Sequence, residues 1–247
     1  MSEKKLVHYE GKLGRFDYDP NMYRVVSEGF VGKQRQHLHF NDDYVGPISL
    51  PEGCIDAHLM FYGCDIKKGC YLDNFDTAQI IRMDNMFASA VLPEGFTLGD
   101  KFDTSNVYDM GGMFWRTVLP NDFTLGDNFD TSSVQYMNQM FYGVDFPDGF
   151  ILGDKFDTSN VCHMDGMFED AVLPDNFTLG DKFDISNLGH MSDVFTNTRI
   201  PKGVDLSEII RINNGNKYVC NPSRFIQVID SPSFDDVGDK GHGGLGE

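Results

Sequence analysis

Phe87, Phe114, Phe141, Phe168 and Phe195 follow one another at intervals of 27 residues. Phe102, Phe129, Phe156 and Phe183 keep the same interval, as do Pro93, Pro120, Pro147, Pro174 and Pro201. The unit reads LPxxFTLGDKFDTSNVxxMxxMFxxxV, as from Leu92 to Val118. Four near-exact copies and two degenerate ones lie between about residues 50 and 203. A unit this short cannot bury its own apolar side, so the copies must stack on one another. No single motif constrains the chain as strongly.

Within a unit the apolar spacing changes. Phe123-Thr124-Leu125 alternates like a short half-buried strand, and Gly126-Asp127 is a turn signal. Val134, Met137, Met140 and Phe141 then fall at i, i+3, i+6 and i+7, which predicts a short helix. The Asp/Thr/Ser/Asn cluster before it supplies capping oxygens, and the following Pro stops it. The expected fold class is therefore α/β, a leucine-rich-repeat-like solenoid of about five to six strand-turn-helix coils with a small β-rich N-terminal cap. The Phe columns, and Met83, Met110, Met113, Met137, Met140, Met164, Met167 and Met191, are assigned to its interior and not to copper or peptide binding.

The string FDTSNVxxMxxMF, at Phe102 to Phe114, Phe129 to Phe141, Phe156 to Phe168 and more loosely Phe183 to Phe195, resembles the signature of the BspA-like leucine-rich-repeat proteins. Leu50 to Cys54, leading to Met60 to Cys64, resembles a variant of the same unit. The resemblance implies a bacterial, non-enzymatic protein of adhesion or host contact, mostly surface-bound or secreted. This chain departs from that pattern in its 27-residue period and in lacking a recognisable signal peptide at its N-terminus, MSEKKLVHYEGK.

The expected organisation is a β-rich cap over 1–49, the repeats over 50–203, a C-terminal cap over 204–230 with a hairpin turn at Asn213-Asn214-Gly215-Asn216, and a disordered Gly- and Asp-rich tail over 231–247. Cytoplasmic location is the default, with surface display or non-classical export implied by the resemblance alone. Five scattered cysteines do not make a disulfide framework. No apolar run reaches the roughly 18 residues of a membrane span. The formal charge is −18, and 24 acidic against 8 basic residues stand in 51–199. That balance excludes a general grip on nucleic-acid phosphates.

Patterns that carry chemistry are weak. Gly241 to Gly246 fits GxGxxG, but the chain stops before any helix could follow. Asn176-Phe177-Thr178 is a sequon on an expected repeat strand. His163 and His190, with Cys162, share a repeat neighbourhood, yet Asp109 and Tyr136 fill that position in earlier copies, which marks variable surface and not zinc. Asp103, Asp130, Asp157 and Asp184 are read as local caps in preference to a calcium ladder, and Asn106, Ser133, Asn160 and Asn187 as a column bonding backbone between coils. No catalytic residue, cofactor or metal site is expected.

The leading function is a non-enzymatic protein-binding scaffold whose partner presents a basic surface. Candidate contact residues are the column Asp100, Asp127, Asp154 and Asp181, together with Tyr108, Trp115, Tyr136 and Tyr142. The alternative is an acidic mimic occupying the basic groove of a nucleic-acid-handling protein. A small enzyme using Tyr9, His37, His39, Asp42 and Asp43 ranks third.

Overall fold

A computed structural model describes residues 5–30, 33–175, 177–189 and 191–201. Expectations for His190, the Asn176 glycosylation site, the C-terminal cap and the tail fall outside the described residues. Among the described residues the regular strands all precede the repeats: β1 (Val7–Gly11) pairs antiparallel with β2 (Gly14–Tyr18), and β3 (Tyr23–Phe30) pairs with β4 (Lys33–Phe40).

The repeats correct the expected fold class. Among the described residues there is no helix, and residues 50–201 hold turns and isolated bridges in place of strand-turn-helix coils. The coils nevertheless stack in register. Parallel bridges join Asp56 to Arg82, Arg82 to Asp109, Asp109 to Tyr136 and Tyr136 to His163, and further parallel bridges run through Asp65, Val91 and Val118 and through Asp145, Val172 and Arg199.

Backbone hydrogen bonding explains the missing helix. Met83, Asn85, Phe87 and Ser89 donate their N–H groups to Asp109, Gly111, Met113 and Trp115 of the next coil. Met86, Ala88 and Ala90, between them, donate to Met83, Asn85 and Phe87 in three-residue turns. The same alternation recurs around Met110 to Thr117 and Met137 to Val144. A helix would use every one of these donors internally and leave none to tie one coil to the next. The i, i+3 apolar spacing reports successive turns, which present the same period locally. The expected strand fails for a different reason. Phe123 and Leu125 are buried with Thr124 exposed, so the alternation is real. Among the described residues, however, no backbone bond joins Thr124 or Leu125 to another coil.

Each Met-rich segment turns by placing two residues, four apart, in the left-handed region: Leu59 and Gly63, Asn85 and Ser89, Gly112 and Arg116, Gln139 and Gly143, Gly166 and Asp170, Asp193 and Asn197. Inside, Phe61, Phe87, Phe114, Phe141, Phe168 and Phe195 form one continuous ring stack, with successive centroids 5.1–5.6 Å apart and planes within 15°. The eight repeat methionines named above are all buried beside it. Phe40, at the end of β4, sits 5.1 Å from Phe61 and closes the first end of the stack.

Polar columns sew the coils together. Thr104 Oγ1 donates to the Asp130 carbonyl and accepts the Asp130 N–H, both at 2.7 Å, and Thr131 and Thr158 do the same to Asp157 and Asp184. Asn106, Asn160 and Asn187 donate their amides to carbonyls of the preceding coil. Asp103, Asp130, Asp157 and Asp184 each accept the N–H two residues on, capping a turn that leads into further turns.

Two substitutions test this scheme. Thr131 is wholly buried, so Thr131→Val should cost about 1–3 kcal/mol in denaturant melts by leaving Asp157 unpaired. Gln139 holds φ 55° where neighbouring coils carry Gly112 and Gly166. Gln139→Gly should be neutral or stabilising by up to ~1 kcal/mol, and Gln139→Val should destabilise.

Candidate functional site

The bridge series through Asp56, Arg82, Asp109, Tyr136 and His163 runs up one face of the coils. Because these residues occupy one repeat position, stacking alone brings them together. At its first end Arg82 bonds Asp56 at 3.3 Å and Asp84 at 2.6 Å, with Asp109 at 4.0 Å. Asp56 also accepts from the His58 backbone N–H at 3.0 Å and lies 2.7 Å from His58 Nδ1. Burial alone would raise the Asp56 carboxyl, but hydrogen bonding and attraction from His58, with Arg82 adding to them, hold it below its ordinary value. For Asp109 the balance goes the other way: burial and the Asp84 charge raise it.

His58 is 3% exposed and its Nε2 has no hydrogen-bond partner. It lines a cleft of about 420 Å³ with Lys12, Leu13, Arg35, Gln36 and Arg82. Its ring lies 5.8 Å from His37, which in turn lies 5.5 Å from His39. The first coil and the β3–β4 hairpin therefore share three imidazoles.

Further along the face Tyr108 meets Tyr136 edge-on at 6.4 Å, and Tyr136 stacks on His163 at 5.2 Å and 10°. A second aromatic group lies farther along two of these coils. Trp115 and Tyr142 stack at 5.8 Å, and the Arg116 guanidinium lies 4.9 and 5.5 Å from their ring centroids. The Tyr142 hydroxyl donates to Asp170 at 2.5 Å. The four aromatic candidates thus form two pairs, each spanning adjacent coils. Asp100, Asp127, Asp154 and Asp181 are all exposed at the Gly-Asp turns, away from the interior.

The residues named for a small enzyme divide. Tyr9 stacks on Phe16 and donates to Gln36, a packing role. His37 is buried, and Asp43 is exposed. His39 and Asp42 come together with Cys64, their ligand atoms all within 4.8 Å of one another. The Cys64 thiol is raised by burial and by the adjacent Asp42 carboxylate, which disfavours a nucleophilic thiolate. Cys162 donates weakly to the Asn160 carbonyl, 3.8 Å away.

Sequence reasoning missed Asp56, His58, Arg82 and Cys64. One signal was available, because charged residues at 56, 82 and 109 replace the aromatic and imidazole groups that later coils carry at the same position.

Fold and site together define a stacked-repeat protein, closed at its first end by two hairpins and carrying its distinctive side chains where it departs from the repeat. Residues 55–148 and 121–208 match the family described as Mycoplasma protein of unknown function, DUF285. The matches cover more than half of the chain, and the protein belongs to that family. No curated protein and no solved structure matches it.

His37 supplies a pH test. Burial first, then the neighbouring His39, His58 and Arg24 charges, lower it from 6.5 to about 4. The unfolded chain binds its proton near pH 6.5, the folded chain only near pH 4, so this group costs stability as pH falls between those values. Stability is fully restored above pH 6.5. Asp56 acts in a lower window, below its ordinary value of 3.8. The urea midpoint of the native sequence should therefore drop between pH 6.5 and 4, and His37→Leu should flatten that slope.

Proposed function

We propose that the chain is a non-enzymatic protein-binding repeat scaffold. The observation that carries this reading is the Trp115–Arg116–Tyr142 group, with Tyr142 also hydrogen-bonded to Asp170. Trp, Tyr and Arg dominate interface hot spots, because each offers a large rigid contact with a polar end. Here all three are held by adjacent coils at positions free to vary without disturbing the Phe stack. The partner presents a basic surface, since Asp100, Asp127, Asp154 and Asp181 set four exposed carboxylates on successive coils. The FDTSNVxxMxxMF resemblance to BspA-like proteins points the same way, because those proteins act by contact with other macromolecules.

Capture from native lysate, read by mass spectrometry, tests the reading. A specific partner should bind the native chain and lose about 30-fold or more in affinity with Trp115→Ala plus Tyr142→Ala. A complex indifferent to that pair, but abolished by salt and by Asn at the four Asp positions, would instead support the acidic mimic. Turnover of a captured small molecule would reject both.

A further inference from the structure

Cys64 occupies a repeat position that later coils fill with Ala90, Thr117, Val144, Ala171 and Thr198, all buried. None of those side chains is a strong metal ligand, and two are alanine, so the fold does not require sulfur there. The thiol appears in the coil that the β3–β4 hairpin covers. There β4 brings His39, whose Nε2 is 4.0 Å from Cys64 Sγ. The turn after β4, closed by Tyr44 N–H donating to the Asn41 carbonyl at 2.9 Å, brings Asp42. The other polar neighbours of Cys64 Sγ are the carbonyls of Phe40 and Tyr62, both at 3.9 Å. These are weak thiol donations of the kind Cys162 makes to Asn160, whereas the side chains facing the sulfur are His39 and Asp42.

We propose that His39, Asp42 and Cys64 form a zinc site that ties the N-terminal hairpin to the first coil. The ligand set is the chemical reason. A thiolate, an imidazole and a carboxylate suit a borderline-soft ion, whereas calcium and magnesium take oxygen ligands. One thiolate and one carboxylate balance the charge of Zn²⁺. Tetrahedral bonds of about 2.3 Å to sulfur and 2.0–2.1 Å to nitrogen place those two atoms about 3.6 Å apart. The observed 4.0 Å closes to that distance by side-chain adjustment of a few tenths of an ångström. Cys64 is 1% exposed, His39 half-buried and Asp42 exposed, so the site is anchored inside and reaches solvent on the carboxylate side. A water completes four-fold coordination from there. Asp43 beside the site adds negative charge, while Arg24 and Lys67, the latter paired with Asp65 at 2.6 Å, bring positive charge near it.

Cobalt(II) titrated into the full-length, reduced protein tests the site. One ion should bind per chain and give thiolate-to-cobalt charge-transfer absorption in the near ultraviolet, which added zinc should abolish. Cys64→Ala, which copies Ala90 and Ala171 and should therefore fold, should remove that absorption. Cys162→Ala and Cys220→Ala should leave it. Asp42→Asn, at an exposed position, should weaken binding about tenfold or more. Zinc should raise the melting temperature of the native chain and not that of Cys64→Ala. No charge-transfer band in the native chain, or a band that survives in Cys64→Ala, would overturn the proposal.

Discussion

From Ala57 to Asp170, about half of the backbone N–H groups in each Met-rich segment leave their own coil and bond to the next. Everything else in the repeats depends on that division. It forces the chain into successive turns, because a helix would consume the same donors, and it fixes the separation of the coils at one hydrogen bond. That separation lets Phe61, Phe87, Phe114, Phe141, Phe168 and Phe195 stack face to face at 5.1–5.6 Å. The turns of the Met-rich segments need left-handed residues twice in each, which Gly, Asn and Asp supply at lowest cost and Leu59, Arg116 and Gln139 supply against their preference. The buried Thr column completes the seam with side-chain bonds between coils.

A stack built this way is uniform inside and has an exposed first layer. The β3–β4 hairpin covers that layer, with Phe40 on Phe61 and the Phe40 N–H donating to Met60. Chemistry gathers at the junction because the repeat rules relax there. Arg82 can sit among three carboxylates, His58 can be buried beside Asp56, and Cys64 can replace alanine opposite His39 and Asp42. Farther along, the frame repeats, and individuality survives only at outward positions such as Tyr108, Trp115, Tyr136 and Tyr142.

How much of this was legible follows from periodicity. The interior assignment of the Phe and Met columns came directly from spacing, whereas the pairing of Tyr108 with Tyr136, which are not equivalent repeat positions, came only from the structure. The turn-capping role of Asp103, Asp130, Asp157 and Asp184 was legible from the Asp-Thr-Ser cluster. The helix was misread, since i, i+3 spacing records which side chains face inward but not where the amide hydrogens go. Phe123-Thr124-Leu125 was misread in the same way, because alternation reports burial and a strand also needs ladder bonds. The His39–Asp42–Cys64 group could not be read at all, as it joins a hairpin to a coil across more than 20 residues with no repeat to relate them.

The sequence by itself determined that copies of a 27-residue unit must stack, which columns lie inside, and which residues meet on adjacent coils. A repeat is a statement about translation, and translation is enough to pair equivalent positions. The tertiary structure alone decided how each coil is built and what the hairpins bring to the first one. Those outcomes turn on whether a backbone donor bonds within its own coil or to its neighbour, and on contacts between segments that share no period. Side-chain hydrophobicity is the same in either case.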